Sequence, residues 1–160
     1  MSVARFEHVT EKQYEADAAA YPVRLSLQEI PLPCRATAGS AGYDFVCPVD
    51  VEIPPDTRLT VPTGIRAEMD PAYVLVLCPR SSLGRRFGLR LSNTLGIVDS
   101  DYAHADNEGH ILLMLEHSSR TGVHIKAGER ICQGIFLPYG TAEEETVTAE
   151  RRGGYGSTGR

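Results

Sequence analysis

Short apolar stretches run along most of the chain, and Pro or Gly interrupts them at close intervals. Val23, Leu25 and Leu27 alternate with Arg24, Ser26 and Gln28. Val51 and Ile53 sit between polar neighbours, and Val123 and Ile125 repeat the pattern. A period of two is that of a strand with one face buried. Tyr73 to Cys78 and Ile111 to Leu115 are continuous apolar runs of strand length, and Ile131 to Leu137 is β-prone with Gln133 inside it. The breaks fall at Pro31, Pro33, Gly39, Gly42, Pro54-Pro55, Pro62, Gly64, Pro71 and Gly128. Many short strands with frequent turn signals predict an all-β barrel or sandwich. No alternation of strand with helix supports a parallel α/β sheet. One helical signal stands near the start. Thr10-Glu11-Lys12-Gln13 has the form of a capping box, the Ala-rich stretch Tyr14 to Ala20 follows it, and Tyr21-Pro22 ends it.

At 160 residues, with no internal repeat and no dividing linker, a single domain over 1–160 is expected, large enough for a proper core. Within it, 1–21 reads as an N-terminal extension with a short helix, and 146–160 as a flexible C-terminal arm. No apolar run reaches the length of a membrane span and no signal-peptide pattern opens the chain, so a cytoplasmic location is expected. The net charge of -5 argues against non-specific nucleic-acid binding but not against a small phosphorylated ligand in a local basic pocket. Cys34, Cys47, Cys78 and Cys132 form no C-x-x-C pair and no zinc spacing. Buried, reduced thiols are expected.

Five segments carry candidate chemistry. The last ten residues, Arg151-Arg152-Gly153-Gly154-Tyr155-Gly156-Ser157-Thr158-Gly159-Arg160, hold four Gly, three Arg and one aromatic. Glycine lets backbone N–H groups approach an anion, arginine fits phosphate oxygens, and a ring offers a stacking face. The tail therefore reads as a lid over a nucleotide, against the plainer reading of a frayed basic terminus. Pro79-Arg80-Ser81-Ser82-Leu83-Gly84 offers a guanidinium and two hydroxyls at a strand end or first helical turn, a phosphate cradle or only a Ser N-cap beside a surface Arg. Asn93 to Tyr102 surrounds Gly96 with apolar residues and leads to Asp99 and Asp101, either a base-reading strand with a water-orienting acid or a plain hairpin. Gln133, inside an apolar strand, needs a buried partner, which is a ligand phosphate or a backbone group. Ala41-Gly42-Tyr43-Asp44-Phe45 reads as a tight polar turn at a strand start.

In this order, AGYDF, PRSSLG, NTLGIVDSDY, GERICQ and RRGGYGSTG resemble the motifs of the trimeric dUTPase family, and Pro62-Thr63-Gly64-Ile65 is similar to a further family segment. The resemblance runs from about Leu25 to Arg160. It implies a distorted β jelly-roll, a homotrimer whose C-terminal arm reaches a neighbouring subunit, and sites built at subunit interfaces. It implies hydrolysis of dUTP to dUMP and pyrophosphate with Mg²⁺ carried by the triphosphate, which excludes uracil from DNA and supplies dUMP for dTMP synthesis. No dedicated protein ligands for the metal are expected. By position, Asp99 matches the acid that activates the attacking water. Arg80, Ser81, Ser82 and Gln133 match phosphate-binding positions. Asn93, with backbone from Gly96 to Val98, matches the reader of uracil. Tyr102 matches the aromatic under the deoxyribose, where a 2′-hydroxyl would clash. Tyr155 stands where a Phe more usually covers uracil, beside Gly156 and Ser157. Arg151 matches the arginine on the γ-phosphate, with Arg152 an open alternative, and Asp44 matches a supporting acid.

The chain departs from the family pattern after Tyr102, where Ala103 to His110 intervene. His104, Asp106, Glu108 and His110 fall at every second position there, which is a metal site on the sharper reading and a solvated loop on the favoured one. Two other functions stay open. dCTP deaminase shares the fold and an Arg-Ser-Ser segment but lacks such a tail. A binding or regulatory module, as in phage relatives that act through protein contacts, would use the 103–110 loop.

Overall fold

The structure is a computed structural model that describes residues 2–117, 120–143, 151 and 153, with only the backbone of Arg86. Twelve strands dominate it: β1 (Ala4–His8), β2 (Cys34–Arg35), β3 (Tyr43–Val46), β4 (Val51–Ile53), β5 (Arg58–Pro62), β6 (Ile65–Met69), β7 (Tyr73–Pro79), β8 (Leu89–Leu91), β9 (Gly96–Val98), β10 (Leu112–His117), β11 (Val123–Ile125) and β12 (Arg130–Pro138). The helices are short: α1 (Glu11–Asp17), α2 (Ser81–Phe87) and two 3-10 turns, Leu27–Glu29 and Ser100–His104. No helix among the described residues is long and apolar enough to cross a membrane.

All pairings between these strands are antiparallel. A five-stranded sheet runs β2-β3-β12-β7-β9, and a three-stranded sheet runs β5-β10-β8. Two pairs, β1-β6 and β4-β11, complete the body. The apolar runs explain the layering. The run in β7 buries Leu75 and Leu77, and β10 buries Leu113 and Leu115. Alternate residues of each strand thus point into one core, with Phe45, Ile53 and Ile131 added from their neighbours. The all-β, jelly-roll-like expectation holds.

The N-terminal segment packs onto this body. Phe6 of β1 sits edge-on to Tyr43 and Phe45 at ring distances of 5.4 and 5.5 Å, and 5.4 Å from Phe136. Thr10 caps α1, its hydroxyl accepting from Gln13 N–H at 3.3 Å. The helix ends at Asp17, earlier than the alanines suggested, because Ala18 packs into the core as a closing turn. Cys47 and Cys132 are buried, and burial pushes both thiols up to about 12. Cys34, by contrast, is exposed, since β2 is a two-residue edge strand.

Candidate active site

A cleft of about 310 Å³ opens where the two larger sheets part. Leu77 of β7, Leu91 of β8, Val98 of β9 and Leu113 of β10 line its apolar walls. Asn93 and Gly96 lie along one side, and Asp99, Tyr102 and Arg151 close the polar end. Concave, mostly apolar sites with a few polar groups at one end are the usual form of small-molecule pockets.

The segment feeding the cleft is not the simple hairpin that the sequence allowed. β8 pairs with β10 in the three-stranded sheet, whereas β9 pairs with β7 in the five-stranded one. Ser92 to Leu95 therefore bridge two sheets, which holds the gap between them open. Thr94 makes the bend with a φ of 68°, in the left-handed region. Past the bridge, Gly96 faces Leu77 and Val98 faces Leu75 across the sheet. Leu95 and Ile97 remain exposed.

Asp99 and Asp101 flank the start of the Ser100–His104 turn, each about half exposed. Arg151 spans them. One Nη bonds Asp99, and Nε donates to Asp101 Oδ1 at 2.8 Å. Its guanidinium also lies 5.6 Å from the centre of the Tyr102 ring, within reach of a cation–π contact. The ring itself is buried, and its hydroxyl donates to His110 O at 2.9 Å.

A second polar cluster forms on the five-stranded sheet. Asp44 and Gln133 are directly opposed on β3 and β12, and Gln133 faces Cys78 of β7 on its other side. The Asp44 carboxylate, 11 % exposed, receives Arg80 Nε and Arg130 Nη1, both at 3.2 Å. Gln133 lies over Gly42, where a Cβ would meet its Oε1 at 2.5 Å. A side chain at Gly42 would therefore push the Gln133 amide from its present position. Arg80 leads from β7 into α2, and Ser81 and Ser82 are exposed on its first turn.

Within one chain these clusters stay apart. From Asp44 the register passes through Gln133 and Cys78 in β7, while Asp99 follows Val98, which faces Leu75. Three strand spacings and four residues make this roughly 20 Å along the sheet. None of Asp44, Arg80, Ser81, Ser82 or Gln133 lines the cleft. Tyr155, Gly156, Ser157 and the alternative arginine Arg152 lie outside the described residues.

The 103–110 segment is neither a metal site nor a solvated loop. Ala103, Ala105, Gly109 and His110 are buried, and only His104 and Asp106 face outward. His110 Nε2 accepts from Gly64 N–H at 2.8 Å, and its Nδ1 pairs with Asp17 of α1 at 2.5 Å. Glu108 takes the N–H and hydroxyl of Thr10, both at 2.8 Å. His110 has both ring nitrogens engaged and Glu108 caps α1, while His104 and Asp106 face outward, so the four residues do not converge on one point. Burial holds the His110 imidazole below its usual pKa, and Asp17 and Glu108 only partly offset this. Sequence reasoning missed this clasp, as it missed Arg130 and Asp101 as partners of Asp44 and Arg151. The sole prior sign of Arg130 was its place inside GERICQ.

An all-β, jelly-roll-like body with a cleft of about 310 Å³ and an acid at its rim defines the class, a β-fold protein with a small-molecule pocket. Comparison with known proteins narrows it. The family model described as dUTPase matches residues 28–159. A deoxyuridine 5'-triphosphate nucleotidohydrolase of Lactococcus lactis is 41% identical over 133 residues, 81% of this chain and 89% of that protein. The enzyme of the same name from Citrobacter koseri is 37% identical over 141 residues, 83% and 90% of the two chains. The crystal structure of dUTPase from Streptococcus mutans superposes with a TM-score of 0.71 at 37% identity, covering 86% of this chain and 98% of that one. The dUTPase of phage phi11 of S. aureus shares the fold at 16% identity, with a TM-score of 0.67 over 92% and 97% of the chains. The chain belongs to the dUTPase family.

Proposed function

We propose that the protein hydrolyses dUTP to dUMP and pyrophosphate. The observation that carries this reading is the cleft itself: the strand-β9 backbone and Asn93 on one side, Tyr102 at the end, and Asp99 at the rim. A uracil ring fits the narrow apolar slot, pairing with the Asn93 amide and with backbone groups from Gly96 to Val98. The deoxyribose then rests on the Tyr102 ring, where a 2′-hydroxyl has no room. This sets the α-phosphate beside Asp99.

An aspartate is ionised at neutral pH and can orient a water by accepting its proton. The water oxygen bonds to the α-phosphorus, and the bond from that phosphorus to the bridging oxygen of the β-phosphate breaks. Pyrophosphate leaves with the electron pair, and the water's proton passes by way of Asp99 to solvent. Phosphoryl transfer otherwise rests on positioning and charge neutralisation. Arg80, Ser81, Ser82 and Gln133 supply donors for phosphate oxygens, Asp44 orients Arg80, and Arg151 moves from Asp99 to the γ-phosphate. Tyr155, Gly156 and Ser157 cover the base.

Magnesium belongs to the substrate in this scheme. Asp99 and Asp101, the carboxylates at the cleft, are paired with Arg151 until it moves to the γ-phosphate, so neither is a standing metal ligand. That donor set suits an ion bound to the triphosphate, where it neutralises charge.

The separation of the two clusters in one chain supports a homotrimer, in which the phosphate donors of one chain meet the cleft of another. The exposed Leu95 and Ile97 suit such a contact. dUMP so released serves dTMP synthesis, and the removal of dUTP keeps uracil out of DNA. The test is sedimentation together with turnover of Mg-dUTP. A trimer with turnover supports the scheme, and an active monomer contradicts the shared site.

A further inference from the structure

Tyr102 is held from three directions, and each hold comes from the 103–110 segment. Its hydroxyl donates to His110 O at 2.9 Å and accepts from Asn107 Nδ2, also at 2.9 Å. One proton enters and one leaves, so the hydroxyl has a fixed orientation. Asn107 Nδ2 also reaches His110 O at 3.3 Å, and Asn107 Oδ1 accepts from Gly109 N–H at 3.3 Å. Gly109, at φ 72°, presses on the Tyr102 backbone: a Cβ there would lie 2.8 Å from Tyr102 O and 2.6 Å from Ala103 Cα. His110 is itself pinned by Asp17 and Gly64. The ring that ends the cleft can therefore neither swing out on its hydroxyl nor slide on its backbone.

We propose that Asn107 is a positioning residue for sugar selection: by anchoring the Tyr102 hydroxyl it keeps the ring where a 2′-hydroxyl has no space. This rests on the dUTP reading above, since only there does Tyr102 face the sugar. Asn107 touches no substrate in this scheme and lines no part of the cleft. Its effect is on the firmness of the wall. A wall that yields by a few tenths of an ångström admits ribose and supports deoxyribose less well.

The test is steady-state hydrolysis of Mg-dUTP and Mg-UTP by the wild type, Asn107→Ala, Tyr102→Phe and the double variant, with a thermal melt of each. One neutral hydrogen bond sets the scale, so in Asn107→Ala the dUTP-over-UTP ratio of kcat/KM falls roughly three- to tenfold. KM for dUTP rises by a similar factor, while kcat moves less. In the Tyr102→Phe background, which has no hydroxyl to anchor, Asn107→Ala adds no further loss of selectivity. An unchanged ratio in a folded Asn107→Ala protein overturns the proposal, as does an equal loss in both backgrounds. Should Asn107→Ala not fold, Tyr102→Phe alone decides: a lower ratio supports the anchor and an unchanged one overturns it. A wild type that leaves dUTP intact while folded overturns the dUTP reading and the selectivity proposal with it.

Discussion

Replacing Asp44 by Asn separates orientation from charge at the phosphate cluster. The carboxylate holds Arg80 and Arg130 at 3.2 Å each, and Asn keeps its shape but halves its accepting power and removes its charge. The Arg80 and Arg130 side chains are 34% and 52% exposed, so solvent screens both pairs, and the stability loss is about 1 kcal/mol. The catalytic effect is larger. An unanchored Arg80 gives up an aligned, charge-assisted contact to the transferring phosphate, about 1.5–3 kcal/mol, or roughly 10- to 100-fold in kcat. Binding moves the other way. Two arginines and one aspartate leave a single positive charge, and Asp44→Asn leaves two, which attracts the triphosphate more strongly. The expected result is a fall in kcat with KM for Mg-dUTP level or lower, read by continuous pyrophosphate release. A variant with wild-type kcat and a several-fold higher KM would refute the claim that Asp44 acts by orienting Arg80.

Other substitutions probe other parts of the account. Asp99→Asn should leave the fold and assembly intact but nearly abolish turnover; retained turnover in a folded Asp99→Asn protein removes Asp99 as the water-activating group. Gly64→Ala forces a φ of 73° on a residue with a Cβ, 2.7 Å from Ile30 Cδ1. The backbone and overlap terms together come to about 2–4 kcal/mol, or roughly 5–15 °C in Tm, and a shift below about 2 °C in a thermal melt would contradict this packing. His110, faced by Asp17, Glu108 and the Tyr14 ring, is held below its ordinary pKa by burial. The unfolded chain thus takes up this proton at higher pH than the folded one. Its contribution to stability is complete above about pH 6.5 and is lost as pH falls through the folded value. Denaturant titrations from pH 8 to pH 5 should show a shallower decline in His110→Asn than in the wild type, and equal slopes would count against the burial argument.

Most strands were legible because their signal is local, although the alternation at Val23, Leu25 and Leu27 yields only an isolated bridge at Arg24 and a 3-10 turn. Alternation at Val51–Ile53 and Val123–Ile125 marks half-buried strands, and the run from Tyr73 marks the central β7. Asn93, Gly96, Val98, Asp99 and Tyr102 meet in one cleft because they are consecutive along a single bent segment. The 103–110 clasp was illegible for the opposite reason. Its buried positions are Ala, Gly and His, which carry no hydrophobic period, and its partner Asp17 lies 93 residues away. The exposed His104 and Asp106 supply the alternating polar pattern, and that pattern resembles a surface loop. Likewise nothing local shows that β8 and β9 join different sheets, since that choice depends on which distant strand each meets. The parting of the sheets that makes the cleft follows from those long-range pairings.

The central claim is that this cleft takes deoxyuridine triphosphate and breaks it at the α-phosphorus. The most direct measurement is pyrophosphate release with Mg²⁺ from dUTP, dCTP, dTTP and UTP in parallel, with ammonia from dCTP scored in the same run. The account predicts rapid release from dUTP and little from the other three. Ammonia from dCTP, or no release from any of the four by the folded protein, would contradict it.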